Sequence, residues 1–200
     1  MMYGIAPEEL PNRHHPAHGV RINPIERTIV FVTICTKHRK PWLATSETHQ
    51  QLYAIWTDAT AWRVGWYVLM PDHVHLLIYP REESYSISNI LLAIKRPVAR
   101  QALLYVRRIA PSFLGRMRDL QPNGRVAHRF WQRGGGYDRN LIDAKTVRKT
   151  IDYIHGNPLR RGLVESPEDW YWSSAGHFVD GRLVPLLPDS DSIPPFDGGG

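Results

Sequence analysis

The chain has 200 residues, 42% of them hydrophobic and 22% charged, with a formal net charge of +6, an ordinary composition for one globular domain with short appendages. No apolar run approaches the roughly 18 residues that a membrane span needs, and no charged start leads into an apolar stretch as a secretory signal would. Cys35 is the only cysteine, which excludes an intrachain disulfide or a cysteine cluster for zinc; the expectation is a cytoplasmic protein with no membrane partner.

Residues 1–24 are rich in proline and histidine, lack periodicity and read as an N-terminal arm or tail. Thr28 to Thr36 is β-branched and apolar, the pattern of a buried strand. Ser46 can cap a helix running to about Arg63, with Leu52, Ile55, Trp56 and Ala59 along one face. Gly65 to Met70 and His73 to Tyr79 read as two strands joined at Pro71-Asp72. Ser86 to about Arg108 is a second helix with Ile87, Ile90, Leu91 and Ile94 as its apolar stripe, which Pro97 should kink or split. Pro111 to Gly124 is expected to be loop, Arg129 to Arg133 a strand, and Gly134-Gly135-Gly136 a flexible run. Asp143 caps a third helix that Gly156 and Pro158 end. Residues 181–200 read as a C-terminal tail, leaving one domain over 25–180. The order β-α-β-β-α-β-α is a split β-α-β layout: an α+β fold, its antiparallel sheet carrying helices on one face.

Three stretches carry chemistry. Between Ser84 and Arg118 the chain holds Lys95, Arg96, Arg100, Arg107, Arg108, Arg116 and Arg118 and no acid. That is the electrostatic footprint of a phosphate-backbone partner, and equally the composition of a solvated basic helix face. In the second stretch, His73 and His75 are alternate residues of an apolar strand. They share one face with Leu77, while Val74, Leu76 and Ile78 take the other. Two neutral imidazoles side by side suit one metal ion, although two surface histidines on a solvated strand fit the same spacing. In the third, Val147, Ile151 and Ile154 form the core stripe of a helix, and Tyr153 falls roughly 120° from the stripe's centre. Asn157 one turn on and Lys149 one turn back share that edge. From spacing alone these residues also read as a boundary tyrosine and an asparagine that ends a helix before proline.

Met70-Pro-Asp-His-Val-His75, Phe130-Trp-Gln-Arg133, Asp152-Tyr-Ile-His-Gly-Asn-Pro158 with Arg161-Gly-Leu-Val164, and Asp169-Trp-Tyr-Trp-Ser-Ser174 follow one another in the chain. In this order they resemble the single-tyrosine HUH transposases (IS200-like), most closely the REP-associated tyrosine transposase branch. The resemblance runs over about Thr28 to Ser174. It implies a ferredoxin-like sheet, His73 and His75 as the metal-binding pair, and Tyr153 as the nucleophile. It further implies Asn157 as third ligand, where many insertion-sequence relatives carry glutamine. The implied reaction is metal-dependent cleavage of single-stranded DNA at hairpin sites, with Mg²⁺ or Mn²⁺ as cofactor, through a 5′-phosphotyrosine link and a free 3′-hydroxyl. Lys95, Arg96, Arg100, Arg107, Arg108 and Lys149 would contact DNA, and the protein would act as a monomer or homodimer. Trp131, Trp170 and Trp172 are candidates for stacking on bases. The competing reading is a hairpin-DNA-binding protein with a degenerate active site. A metalloenzyme acting on a small substrate ranks last, because strand alternation turns Asp72, the nearest acid, to the wrong face.

Overall fold

The structure, a computed structural model, describes residues 20–22, 29–45, 49–50, 52, 54, 56, 62–82, 84–134 and 136–189. In chain order the strands are β1 (Val20–Ile22), β2 (Ile29–Cys35), β3 (Trp62–Met70), β4 (His73–Pro80), β5 (Ser84–Ser86), β6 (Arg118–Leu120), β7 (Val126–His128) and β8 (Tyr137–Leu141). The longer helices are α1 (Ile87–Ile109) and α2 (Ala144–His155); α3 (Asn157–Arg160) and α4 (Ala175–Asp180) are short.

The main sheet has four strands in the order β3-β4-β2-β8, and every neighbouring pair is antiparallel. This is the expected ferredoxin-like split β-α-β sheet of an α+β fold. Its first face carries Val30, Val32 and Ile34 of β2, Tyr67 and Leu69 of β3, and Val74, Leu76 and Ile78 of β4. Against these pack Ile87, Ile90, Leu91, Ile94 and Val98 of α1, with Leu52 and Trp56 from the preceding helical residues. Ser46, Ile55 and Ala59, assigned to that earlier helix, lie outside the described residues. α1 begins where the Ser86 hydroxyl accepts the Asn89 N–H at 3.3 Å. It then runs unbroken through Pro97, so the proline does not split it. An interior proline costs about 3 kcal/mol, but each fully buried aliphatic side chain returns about 1.5–3 kcal/mol, and the buried stripe continues on both sides of it.

The opposite face is covered as well. Ile29, Val68, Met70 and Leu77 pack with Leu141 and with Val147 and Ile154 of α2. Asp143 starts α2 as expected, accepting the Thr146 N–H at 2.8 Å. Thus both helices of the split β-α-β lie on one face, and the tyrosine helix lies on the other.

Three local expectations fail. Pro111–Gly124 is not all loop: after a helical turn at Leu114–Met117 the chain enters β6, which pairs with β7 as a hairpin. Arg129–Arg133 is not a strand. Phe130 and Trp131 are both buried, so their side chains do not alternate, and only Trp131 makes a single bridge, to Thr36. The fourth strand is instead β8, which begins after the glycine run. There Gly136 has φ +105°, and a Cβ at this position would lie 2.6 Å from the Thr33 carbonyl oxygen; no other residue fits so close to β2. The supposed tails also contribute. β1 pairs with β5, and Asp189 donates its N–H to the Val64 carbonyl and pairs with Arg63. Asp169 to Ser174 borders the outer edge of β3: Trp170 Nε1 donates to the Leu69 carbonyl at 2.9 Å, and Ser173 bridges Val68. This occupies a sheet edge that would otherwise offer open pairing groups.

Candidate active site

The alternation of β4 places His73 and His75 on the α2 face of the sheet, with Val74 and Leu76 in the core behind them. Their rings lie 4.6 Å apart, centroid to centroid, and only 2% and 4% of their surfaces are exposed. That disposes of a solvated histidine face. α2 lays Tyr153 against His75, the two rings 5.3 Å apart. Phe31 of β2 completes the cluster, stacked 5.5 Å from His75 and meeting Tyr153 edge-on at 6.3 Å.

Each imidazole is oriented by a hydrogen bond through Nδ1. For His75 the partner is the Thr33 hydroxyl, directly across the β2–β4 ladder, at 2.8 Å. For His73 it is the Asp72 carboxylate at 2.7 Å. Asp72 also accepts from Arg39 at 3.1 Å and from Arg161 at 3.4 Å. Burial disfavours the Asp72 charge, but the bonds to His73 and Arg39 and the field of Arg161 hold its carboxyl well below the usual carboxylate range. Burial lowers both histidine pKa values, with Asp72 partly opposing the shift at His73; the charges of Arg39 and Arg160 push His75 further down. Both rings are therefore neutral at neutral pH, the form in which imidazole binds a metal.

His75 Nε2 is buried and has no hydrogen-bond partner. Such an atom ordinarily costs about 1–3 kcal/mol, a cost that a bound ion would remove. A divalent ion would fit there with the His75 proton on Nδ1, donated to Thr33: Nε2 then offers a lone pair on a fixed, neutral ring, with a second fixed ring beside it. Among the described residues no group of three or more His, Cys, Asp or Glu side chains is placed to hold a metal ion. Asn157, which the resemblance implies as third ligand, is of a residue type outside that set. Asn157 is buried at the head of α3. Arg161, which ends α3, donates to its carbonyl at 3.2 Å and also reaches Asp72, so α3 is tied to the histidine corner.

The structure thus gathers His73, His75 and Tyr153, and anchors the Asn157 turn beside them. Lys149 is exposed one turn before Tyr153. The basic residues of α1 are not gathered here. Arg96, Arg100, Arg107 and Arg108 are exposed on a helix across the sheet from the histidines. Lys95 is partly buried and donates to the Gly134 carbonyl at 2.6 Å. The tryptophans considered for base stacking all make contacts within the protein, and Trp170 and Trp172 are half-buried. Trp131 is buried, with its N–H on the Lys95 carbonyl, Trp170 is bonded to Leu69, and Trp172 packs 4.1 Å from His49. The exposed aromatic of that segment is Tyr171.

Sequence reasoning overlooked Phe31, Thr33, Arg39, Asp72 and Arg161. Asp72 was turned away by strand alternation, but it sits in the turn before β4, where alternation does not apply. Thr33 could have been found only by knowing the ladder register.

Residues 25–157 match the family model described as "Transposase IS200 like". A Haemophilus influenzae protein described as a REP-associated tyrosine transposase is 29% identical over 118 residues, 58% of this chain. That match spans only 61% of the relative's own length. A solved structure of a REP-associated tyrosine transposase bound to a REP hairpin superposes with a TM-score of 0.52 at 16% identity, covering 86% of this chain and 92% of that one. The latter likeness is one of fold.

Proposed function

Because the chain belongs to the IS200-like transposase family, we propose that it is a metal-dependent endonuclease and strand transferase that cuts single-stranded DNA at hairpin sites, with Tyr153 as the nucleophile. The observation that carries this reading is the contact of the Tyr153 ring with His75, whose buried Nε2 lacks a partner.

Tyr153 stands on a regular helix, seated by Val147 and Ile154, so its ring is held rather than free. Its oxygen attacks phosphorus; the Oη–P bond forms as the P–O3′ bond breaks. The phenol proton leaves to solvent and the departing 3′-oxygen takes one up, giving a 5′-phosphotyrosine and a 3′-hydroxyl. The link is still a phosphodiester, so a 3′-hydroxyl can attack it and rejoin a strand without ATP. His73 and His75 would hold the divalent ion, Mg²⁺ or Mn²⁺, with Asn157 as third ligand. Bound there, the ion supplies polarisation of a phosphate oxygen and neutralises charge in the transition state. Asp72, an acceptor only, keeps the His73 proton on Nδ1 and leaves Nε2 for the ion, while the Thr33 hydroxyl orients the His75 ring. The exposed cations of α1 and Lys149 would hold the DNA backbone.

The test is to incubate the protein with a labelled pool of hairpin oligonucleotides carrying randomised single-stranded flanks, with Mn²⁺ or with EDTA. A metal-dependent covalent adduct that survives denaturation is expected. Binding without an adduct under any metal would leave only a hairpin-binding role.

A further inference from the structure

The residue after Pro158-Leu159 behaves unlike an ordinary surface cation. Arg160 belongs to α3, but side chains on a helix lean toward its N-terminus, and this one lies back across the last turn of α2. Its guanidinium carbon sits 4.6 Å from the centre of the Tyr153 ring. Its Nη2 donates to the Tyr153 backbone carbonyl. Arg160 thus holds the same tyrosine at both ends, by ring and by backbone.

A second feature is built around this contact. Gly156 joins α2 to α3 with φ −73°, a conformation open to any residue. Backbone geometry therefore does not call for glycine. A Cβ at position 156 would lie 2.8 Å from Arg160 Nη1 and 3.0 Å from the Asp152 carbonyl oxygen, so a side chain there would shift the guanidinium. The glycine leaves the slot through which the guanidinium reaches the ring. The same ring also meets His75 at 5.3 Å and Phe31 at 6.3 Å, centroid to centroid.

We infer that Arg160 is a positioning residue for Tyr153, clamping the phenol ring against His75, and that Gly156 is glycine to admit the clamp. The inference rests on the reading of Tyr153 as nucleophile. Nucleophile placement is sensitive, since a displacement of about 1 Å can cost on the order of 100-fold in rate.

The test uses the full chain, Mn²⁺ and one oligonucleotide selected from the cleaved hairpin pool. Arg160→Gln and Gly156→Ala are each expected to lower the rate of adduct formation at saturating DNA by roughly 10- to 100-fold. The DNA concentration at half-saturation and the melting temperature should stay unchanged. Gly156→Ala keeps the charge of Arg160 and moves only its position. The double variant should therefore be no slower than the slower single variant, because both changes act through one contact. An unaltered rate in Arg160→Gln, additive losses, or a raised half-saturation with the saturated rate intact would each overturn the clamp. A readout independent of cleavage is ¹³C NMR of ring-labelled tyrosine, with the Tyr153 signal identified by Tyr153→Phe. That signal should move in both variants, and if it stays in place the clamp is wrong. Should the wild type form no adduct while the signal moves in both, the clamp stands and the nucleophile reading fails.

Discussion

At the scale of single residues, the site is two imidazoles held by two unlike partners. A threonine hydroxyl fixes His75 and a carboxylate fixes His73. Partners that orient metal-binding histidines typically contribute 10- to 100-fold in metal affinity. Thr33→Val keeps the β-branched shape and deletes the hydroxyl, so it should weaken Mn²⁺ binding by that factor in a calorimetric titration while the melting temperature holds. Affinity equal to wild type would mean that Thr33 is only ladder filling. His73→Ala or His75→Ala should remove metal-dependent cleavage and leave the fold intact, since the core lies behind β4; undiminished cleavage by both would refute the metal pair. The shared face of these histidines was legible because a strand has a period of two. The acid beside them was not, because Asp72 stands in a turn and is joined to Arg39 and Arg161 from segments remote in the chain.

At the scale of elements, the long periodic segments were legible and the short ones were not. Ser86 and Asp143 start α1 and α2 as their chemistry dictates. By contrast, β6 and β7 have three residues each, too few to show any period. Phe130 and Trp131 looked like strand residues because they are apolar, but both are buried side by side as anchors. Gly136 shows why β8 follows the glycine run: only glycine tolerates that φ and the nearness of the Thr33 carbonyl. Gly136→Ala is expected to destabilise the protein by about 1–3 kcal/mol, read as a lower denaturant midpoint. An unshifted midpoint would show that β8 can detach from β2 at no cost. For α1, replacing Arg96, Arg100, Arg107 and Arg108 with alanine should weaken DNA binding and reduce its salt dependence by up to about one unit of log–log slope per lost phosphate contact. An unchanged slope would place the DNA away from this helix.

At the scale of the whole molecule, one sheet separates two surfaces. The histidine–tyrosine cluster lies under α2, and the exposed arginines of α1 lie across the sheet. A DNA that meets both must pass around an edge. The split β-α-β order predicted the sheet and its first helical layer, but chain order alone gave no sign that α2 would cover the second face. Stability should also carry a signature of burial. His49 and His155 are pushed down from 6.5 to about 4 by burial. Below about 6.5 the unfolded chain takes up protons that the native protein refuses, so stability should fall as pH drops from 6.5 towards 4. Denaturant midpoints that stay flat across this window would contradict the burial of these rings. The claim on which the rest depends is that Tyr153 attacks the DNA, and its most direct measurement is peptide mapping of the trapped protein–DNA adduct by mass spectrometry. The nucleotide mass should sit on Tyr153, and Tyr153→Phe should bind DNA and Mn²⁺ yet form no adduct. A nucleotide found on Tyr137 or any other residue, or an undiminished adduct from Tyr153→Phe, would contradict the account.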